Sequence, residues 1–127
     1  MTQIVNVSIY KGDYTYIGRG SDFGNPFKIG KDGTREEVIK KFRQYFYKRI
    51  FTDPKFAEKV ETLRGCVLGC FCEPLDCHSD VIKEYLDNYE YHGALGVEDD
   101  NKLEVHWISQ IVRQSDNRIV DFVEVTS

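Results

Sequence analysis

The chain has 127 residues, a hydrophobic fraction of 41% and a formal net charge of −4. That is the length of one domain, and 8 Phe, 8 Tyr and 1 Trp are enough apolar material for a real core. No run approaches the roughly 20 apolar residues that would span a bilayer. MTQIVNVSIY also lacks the basic region and apolar block of a signal peptide, so a cytoplasmic protein with no membrane partner is expected.

Charge is distributed unevenly. Residues 1–64 hold 13 Lys/Arg against 8 Asp/Glu, whereas residues 65–127 hold 4 against 13. The bland reading is two solvated faces of opposite sign. A nucleic-acid reading would rest on Lys40, Lys41, Arg43, Lys48 and Arg49 with Tyr45 and Tyr47 among them; it is not favoured, because the domain as a whole is not basic.

In chain order, Ile4–Tyr10 alternates apolar and polar residues and reads as a strand. Lys11-Gly12-Asp13 is turn chemistry and Tyr14–Gly18 a second strand, which together predict an N-terminal hairpin. A Gly-dense loop follows. Thr34-Arg35-Glu36-Glu37 is a capping box, and Val38, Ile39, Phe42, Phe46 and Ile50 then recur at helical spacing. Asp53-Pro54 starts a shorter helix, with Asp as cap and Pro at the first helical position, running to about Leu63.

Cys66–Cys72 has the length and apolar character of a central strand, and a helix with the stripe Val81, Ile82, Tyr85 and Leu86 begins at Ser79 or Asp80. Residues 89–102 are polar. Leu103, Val105, Trp107 and Ile111 then share one face of an alternating run, as do Ile119, Val123 and Val125 with Asp121 as the polar exception. Ser115-Asp116-Asn117 between them reads as a turn, so the tail is expected to be a β-hairpin. The order β-β-α-α-β-α-β-β implies a single α/β domain over 1–127: a mixed sheet, flanking helices and a C-terminal hairpin.

Two segments carry chemistry. Cys70-Phe71-Cys72-Glu73-Pro74-Leu75-Asp76-Cys77-His78-Ser79-Asp80 lies where a strand ends and a helix begins, the place where open α/β sheets gather ligands. Three readings compete there. Cys77 can be a reactive thiol activated by the helix terminus, with His78 or Asp80 handling protons. Cys70, Cys72, Cys77 and His78 can hold zinc, although C-x-C-x4-C-H is a poor spacing for one tetrahedral ion, so no metal is expected. Finally, the cysteines can be small core residues with His78 and Asp80 capping the helix. All four cysteines, Cys66 included, fall within twelve residues and should be reduced.

The second segment is Gly18-Arg19-Gly20-Ser21-Asp22-Phe23-Gly24-Asn25-Pro26-Phe27. Glycine allows close backbone approach to a ligand, and Arg19 can grip a phosphate or carboxylate as a fork. The spacing matches neither a Walker loop nor a dinucleotide fingerprint. An ordered surface loop pinned by Phe23 and Phe27 is the competing reading.

Together, YIGRGSDFGNPF, DGTREEVIKKF and LRGCVLGCFCEPLDCHSDVIKEYL resemble an uncharacterised family of small phage and bacterial proteins, a domain of unknown function. The resemblance covers residues 4–87 and leaves 88–127 as a C-terminal extension. It falls on Gly18, Arg19, Gly24, Asn25, Pro26, Phe27, Arg35, Cys70, Cys72, Pro74, Cys77, His78 and Asp80. Cys66 stands where that family usually has Lys, and Ser79 where Gly is usual. The resemblance implies no reaction or cofactor, only a phage or bacterial origin, and hence the host cytoplasm if phage-encoded.

The two segments are expected to meet around an anionic small molecule, nucleotide-like or sugar-phosphate-like. Arg19 and Arg35 would hold the anion, Gly18, Gly24, Asn25 and Cys72 would shape the site, and Cys77, His78 and Asp80 would do any chemistry. A non-enzymatic interaction module that docks a host protein or nucleic acid, metal-stabilised or not, is the alternative. A concave site beside Cys77 favours the first reading and a flat surface the second.

Overall fold

The computed structural model of the protein describes residues 1–71, 77–99 and 104–127. Strands β1 (Gln3–Asn6), β2 (Thr15–Tyr16) and β3 (Val67–Cys70) form a sheet in the order β1-β3-β2, with both flanking strands parallel to β3. The N-terminal hairpin expected from the turn chemistry therefore does not form. The chain leaves the sheet after Asn6, whose carbonyl accepts from the amides of Ile9 and Tyr10 and whose side chain accepts from Ser8. It then crosses to the far side of β3.

Gly69 makes that crossing possible. A Cβ there would lie 2.6 Å from Val7 Cγ1 and 2.5 Å from Tyr14 Cδ2, so the connecting segment packs where a side chain would otherwise stand. Close backbone approach of this kind is a regular use of glycine within a strand.

The helices follow their sequence signals closely. Helix α1 (Arg35–Thr52) opens with the capping box: Thr34 Oγ1 accepts from Glu37 N at 3.3 Å and Glu37 Oε1 accepts from Thr34 N at 3.1 Å. Helix α2 (Pro54–Glu61) is capped by Asp53, and α3 (Ser79–Asn88) begins after His78. Phe42, Phe46 and Ile50 of α1, Leu68 of β3, and Ile82 and Tyr85 of α3 are at most 1% exposed and form the centre of the core. Among the described residues no helix is long and apolar enough to cross a membrane.

A second, antiparallel sheet follows: β4 (Tyr89–Asp99), β5 (Glu104–Arg113) and β6 (Arg118–Val120), in that order. The parallel and antiparallel pairings expected of a mixed sheet are thus divided between two sheets, and the β5–β6 hairpin turns at the expected residues. Two details differ from the sequence reading. The polar segment from Tyr89 is a strand, because β5 supplies its hydrogen bonds whatever side chains it carries. Beyond β6 the chain forms a short helix, α4 (Phe122–Thr126), instead of completing a strand. Asp121, the polar exception in the alternating pattern, is its N-cap and accepts from Glu124 N at 2.8 Å.

The alternation in β5 is real but only its inner half is covered. Ser109 and Ile111 are buried, whereas Val105 and Trp107 on the same face are about half exposed. There the β4–β5 ribbon extends past the helices. Leu103, which opened the expected strand, lies outside the described residues.

Candidate functional site

All three strands of the parallel sheet run the same way, so β2 and β3 end at one edge. The Gly-rich loop leaves β2 at that edge, and the segment leading to α3 leaves β3 beside it. Helix α1 brings its N-terminus to the same place. The result is a cavity of about 360 Å³. Gly18, Arg19 and Asn25 of the loop, Arg35 at the start of α1, and Cys77 and His78 before α3 all line it. The two segments singled out in the sequence therefore meet, although Arg19 and His78 are far apart along the chain.

The loop is built to hold one shape. Ser21 Oγ and Ser21 N both bond the Gly18 carbonyl, at 2.6 and 3.1 Å, closing a tight turn through Gly20, whose φ is +92°. Gly24 packs directly on that turn: a Cβ there would come within 2.7 Å of the Gly18 carbonyl oxygen and 3.1 Å of Arg19 Cα, both backbone atoms. Asn25 uses both ends of its amide on the protein. Its Nδ2 donates to the Val38 carbonyl at 3.2 Å, and its Oδ1 accepts from Phe27 N at 2.9 Å across Pro26. This ties the loop to α1. Tyr16 OH donates to the Arg19 carbonyl at 2.9 Å, setting the backbone from which Arg19 reaches out. Arg19 is exposed, and its guanidinium has no carboxylate partner among the described residues.

His78 is buried at the cavity's inner wall, edge-on to the Phe42 ring with centroids 5.3 Å apart. Its Nε2 is 2.7 Å from the Ile17 carbonyl. A carbonyl only accepts, so Nε2 carries the proton and the neutral ring keeps Nδ1 as an acceptor. Burial pulls the His78 pKa below the usual histidine value; Arg19 pulls the same way, while the Ile17 carbonyl, Cys70 and Asp80 oppose it.

The unfolded chain, with an ordinary histidine near pH 6.5, takes up a proton before the folded one does. The contribution of His78 to stability is therefore complete above about pH 6.5 and lost as pH falls below it. The melting temperature should drop between pH 7 and pH 5, before carboxylates such as Glu61 begin to protonate. His78→Gln, whose amide can still donate to Ile17, should flatten that slope. Identical slopes for the two proteins would refute the assignment.

Cys77 packs as a neutral thiol. Its Sγ lies 2.7 Å from Ser79 Oγ and 3.6 Å from Cys70 Sγ. The contact with Cys70 and burial push its pKa far up, against the opposing hydrogen bonds from the Ser79 hydroxyl and amide. The first amides of α3 are also engaged: Ser79 N donates to Cys77 Sγ, Asp80 N to the Cys77 carbonyl and Val81 N to the His78 carbonyl, while Cys77 N, just before the helix, donates to the Asp80 carboxylate at 3.2 Å. Asp80 thus closes the helix start and faces a separate depression with Arg35, Glu36 and Ile39. It does not line the cavity with Cys77 and His78.

Cys72 and Pro74 lie outside the described residues. Among the described residues, no three His, Cys, Asp or Glu side chains are placed to hold a metal ion.

Sequence reasoning missed most of the cavity's apolar wall. Tyr16, Ile29, Val38, Ile39 and Phe71 line it together with Phe27. Ile29 offered one signal, a large apolar residue standing between Lys28 and Gly30 with no helical or strand pattern to bury it. Val38 and Ile39 offered none, since their helical spacing reads equally as core.

The architecture defines an α/β protein with a concave site at the carboxyl edge of a parallel sheet, between two helix N-termini. A family model described as a domain of unknown function, DUF4326, matches residues 5–88, and the chain belongs to that family. Over 78 residues it is 42% identical to "Uncharacterized 12.4 kDa protein in nrdA-td intergenic region" of Enterobacteria phage T4, a match covering 60% of this chain and 70% of the relative. No solved structure matches the chain.

Proposed function

We propose that the cavity binds an anionic small molecule, nucleotide-like or sugar-phosphate-like. One observation carries this reading: Arg19, without a carboxylate partner among the described residues, stands at a concave site that Arg35 also lines. A cation held at a concave, largely apolar site by a rigid loop is arranged for a ligand's anionic group. Since the first amides of α3 are already engaged, Arg19 supplies the grip. Any proton transfer falls to His78, through the Nδ1 acceptor that its bond to Ile17 leaves available. The concavity beside Cys77 favours this reading over the flat docking surface of an interaction module.

The test is isothermal titration calorimetry of the full chain with AMP, ribose 5-phosphate and inorganic phosphate, on the native protein and Arg19→Ala. At least one compound should bind, and the substitution should weaken it by roughly tenfold to a hundredfold, the worth of a charge-assisted hydrogen bond. Because Arg19 is exposed, the unliganded protein should melt as before. Lack of binding by every compound, or equal binding by the variant, would remove the proposal.

A further inference from the structure

The cavity's walls separate the two ligand classes left open above. Tyr16, at the end of β2, and Phe71, just beyond β3, stand edge-to-face with ring centroids 6.0 Å apart. Val38 and Ile39 of α1 and Phe27 and Ile29 of the loop supply the remaining apolar surface. A second observation points the same way: Phe71 is 63% exposed and Ile29 54%, both at this site. Large apolar side chains left open to water beside an arginine are covered at a larger gain by a flat aromatic base than by a hydroxyl-rich sugar, which offers less apolar area.

Resting on the anion-site reading, we infer that the ligand is a nucleoside monophosphate, its base against the Tyr16–Phe71 wall and its phosphate at Arg19. The volume sets the size. About 360 Å³ is near the lower end of the roughly 300–1,000 Å³ spanned by ligand cavities, which suits one base and one phosphate better than a dinucleotide. His78 adds a reading element. With Nε2–H given to Ile17, Nδ1 accepts a hydrogen bond, and a nucleoside offers amino, ring N–H or hydroxyl donors to it.

The experiment measures binding of AMP, GMP, CMP, UMP, ribose 5-phosphate and inorganic phosphate by calorimetry, on the native full chain and on Phe71→Ala. Phe71 is mostly exposed, so the variant should fold, and an unchanged melting temperature checks this. At least one nucleoside monophosphate should bind ten times or more tighter than ribose 5-phosphate. Phe71→Ala should weaken it by roughly fivefold to a hundredfold, the range for losing one base–aromatic stack, and leave binding of ribose 5-phosphate and phosphate unchanged. Ribose 5-phosphate binding as tightly as any nucleotide, or nucleotide binding that ignores Phe71→Ala, overturns the inference while the anion site stands. Failure of all six probes to bind overturns both.

Discussion

Deleting residues 88–127 is expected to abolish cooperative folding, although the family match lies almost wholly within the part that remains. Ile111, Val120 and Val125, all removed by the deletion, are at most 5% exposed and belong to the same core cluster as Phe46, Tyr47 and Ile50 of α1. Phe122 stands edge-on to Phe51 at 6.3 Å, and Tyr89 stands edge-on to Tyr47 and stacks on Tyr85, each at 6.3 Å. Removing these side chains would open a continuous apolar face along α1 and the end of α3. An 87-residue chain has little spare burial to offset that loss. The fragment should aggregate, or collapse without a melting transition. A soluble 1–87 fragment that melts cooperatively would show that the second sheet is dispensable to the first.

Glu61→Ala should cost about 3 kcal/mol, far more than an ordinary surface substitution. Glu61 ends α2 and joins it to α3, β4 and the turn at Arg64. Its Oε1 accepts from Tyr85 OH at 2.8 Å and from Tyr91 N at 3.0 Å, and its carboxylate pairs with Arg64 through two bonds of 2.8 and 3.0 Å. Arg64 in turn donates to the carbonyls of Leu86 and Tyr89, closing the joint between α3 and β4. Burial alone would raise the Glu61 pKa, but the bonds from Arg64 and Tyr85 hold the carboxyl below the usual glutamate value.

Alanine would leave the Tyr85 hydroxyl buried without its partner and strip Arg64 of its counter-charge, so the penalty exceeds that of one lost bond. Glu61→Gln, which keeps an acceptor for Tyr85 and Tyr91, should recover part of the loss. Urea unfolding of the three proteins measures this. A Glu61→Ala unfolding free energy within about 0.5 kcal/mol of the native protein's would show that the network adds nothing.

Local signals determined the helices and the residue content of the site. The Thr34/Glu37 capping box, the Asp53-Pro54 start and the 3.6-residue apolar stripes are readable because a helix closes its hydrogen bonds within its own segment. Strand pairing is not local, and there the reading failed. Nothing beside residues 3–16 says that β3, some fifty residues on, will insert between β1 and β2, with Val7 and Tyr14 packed over Gly69. Likewise Tyr89–Asp99 looks polar and unstructured alone and becomes a strand because β5 lies beside it.

The same division runs through the site. Residue types and glycine spacing marked Arg19, Asn25, Cys77 and His78, since cationic forks, turn glycines and titratable pairs are recognisable in sequence. Only the tertiary structure set their roles. It turned Asp80 to the helix start, spent the Asn25 amide on the loop's own shape and placed Cys77 against Cys70 as a neutral thiol. It also built the apolar wall from α1, β2 and the ends of two loops. Each of these depends on which atoms come to lie within a few ångströms across elements distant in the chain, and a run of neighbouring residues carries no record of that.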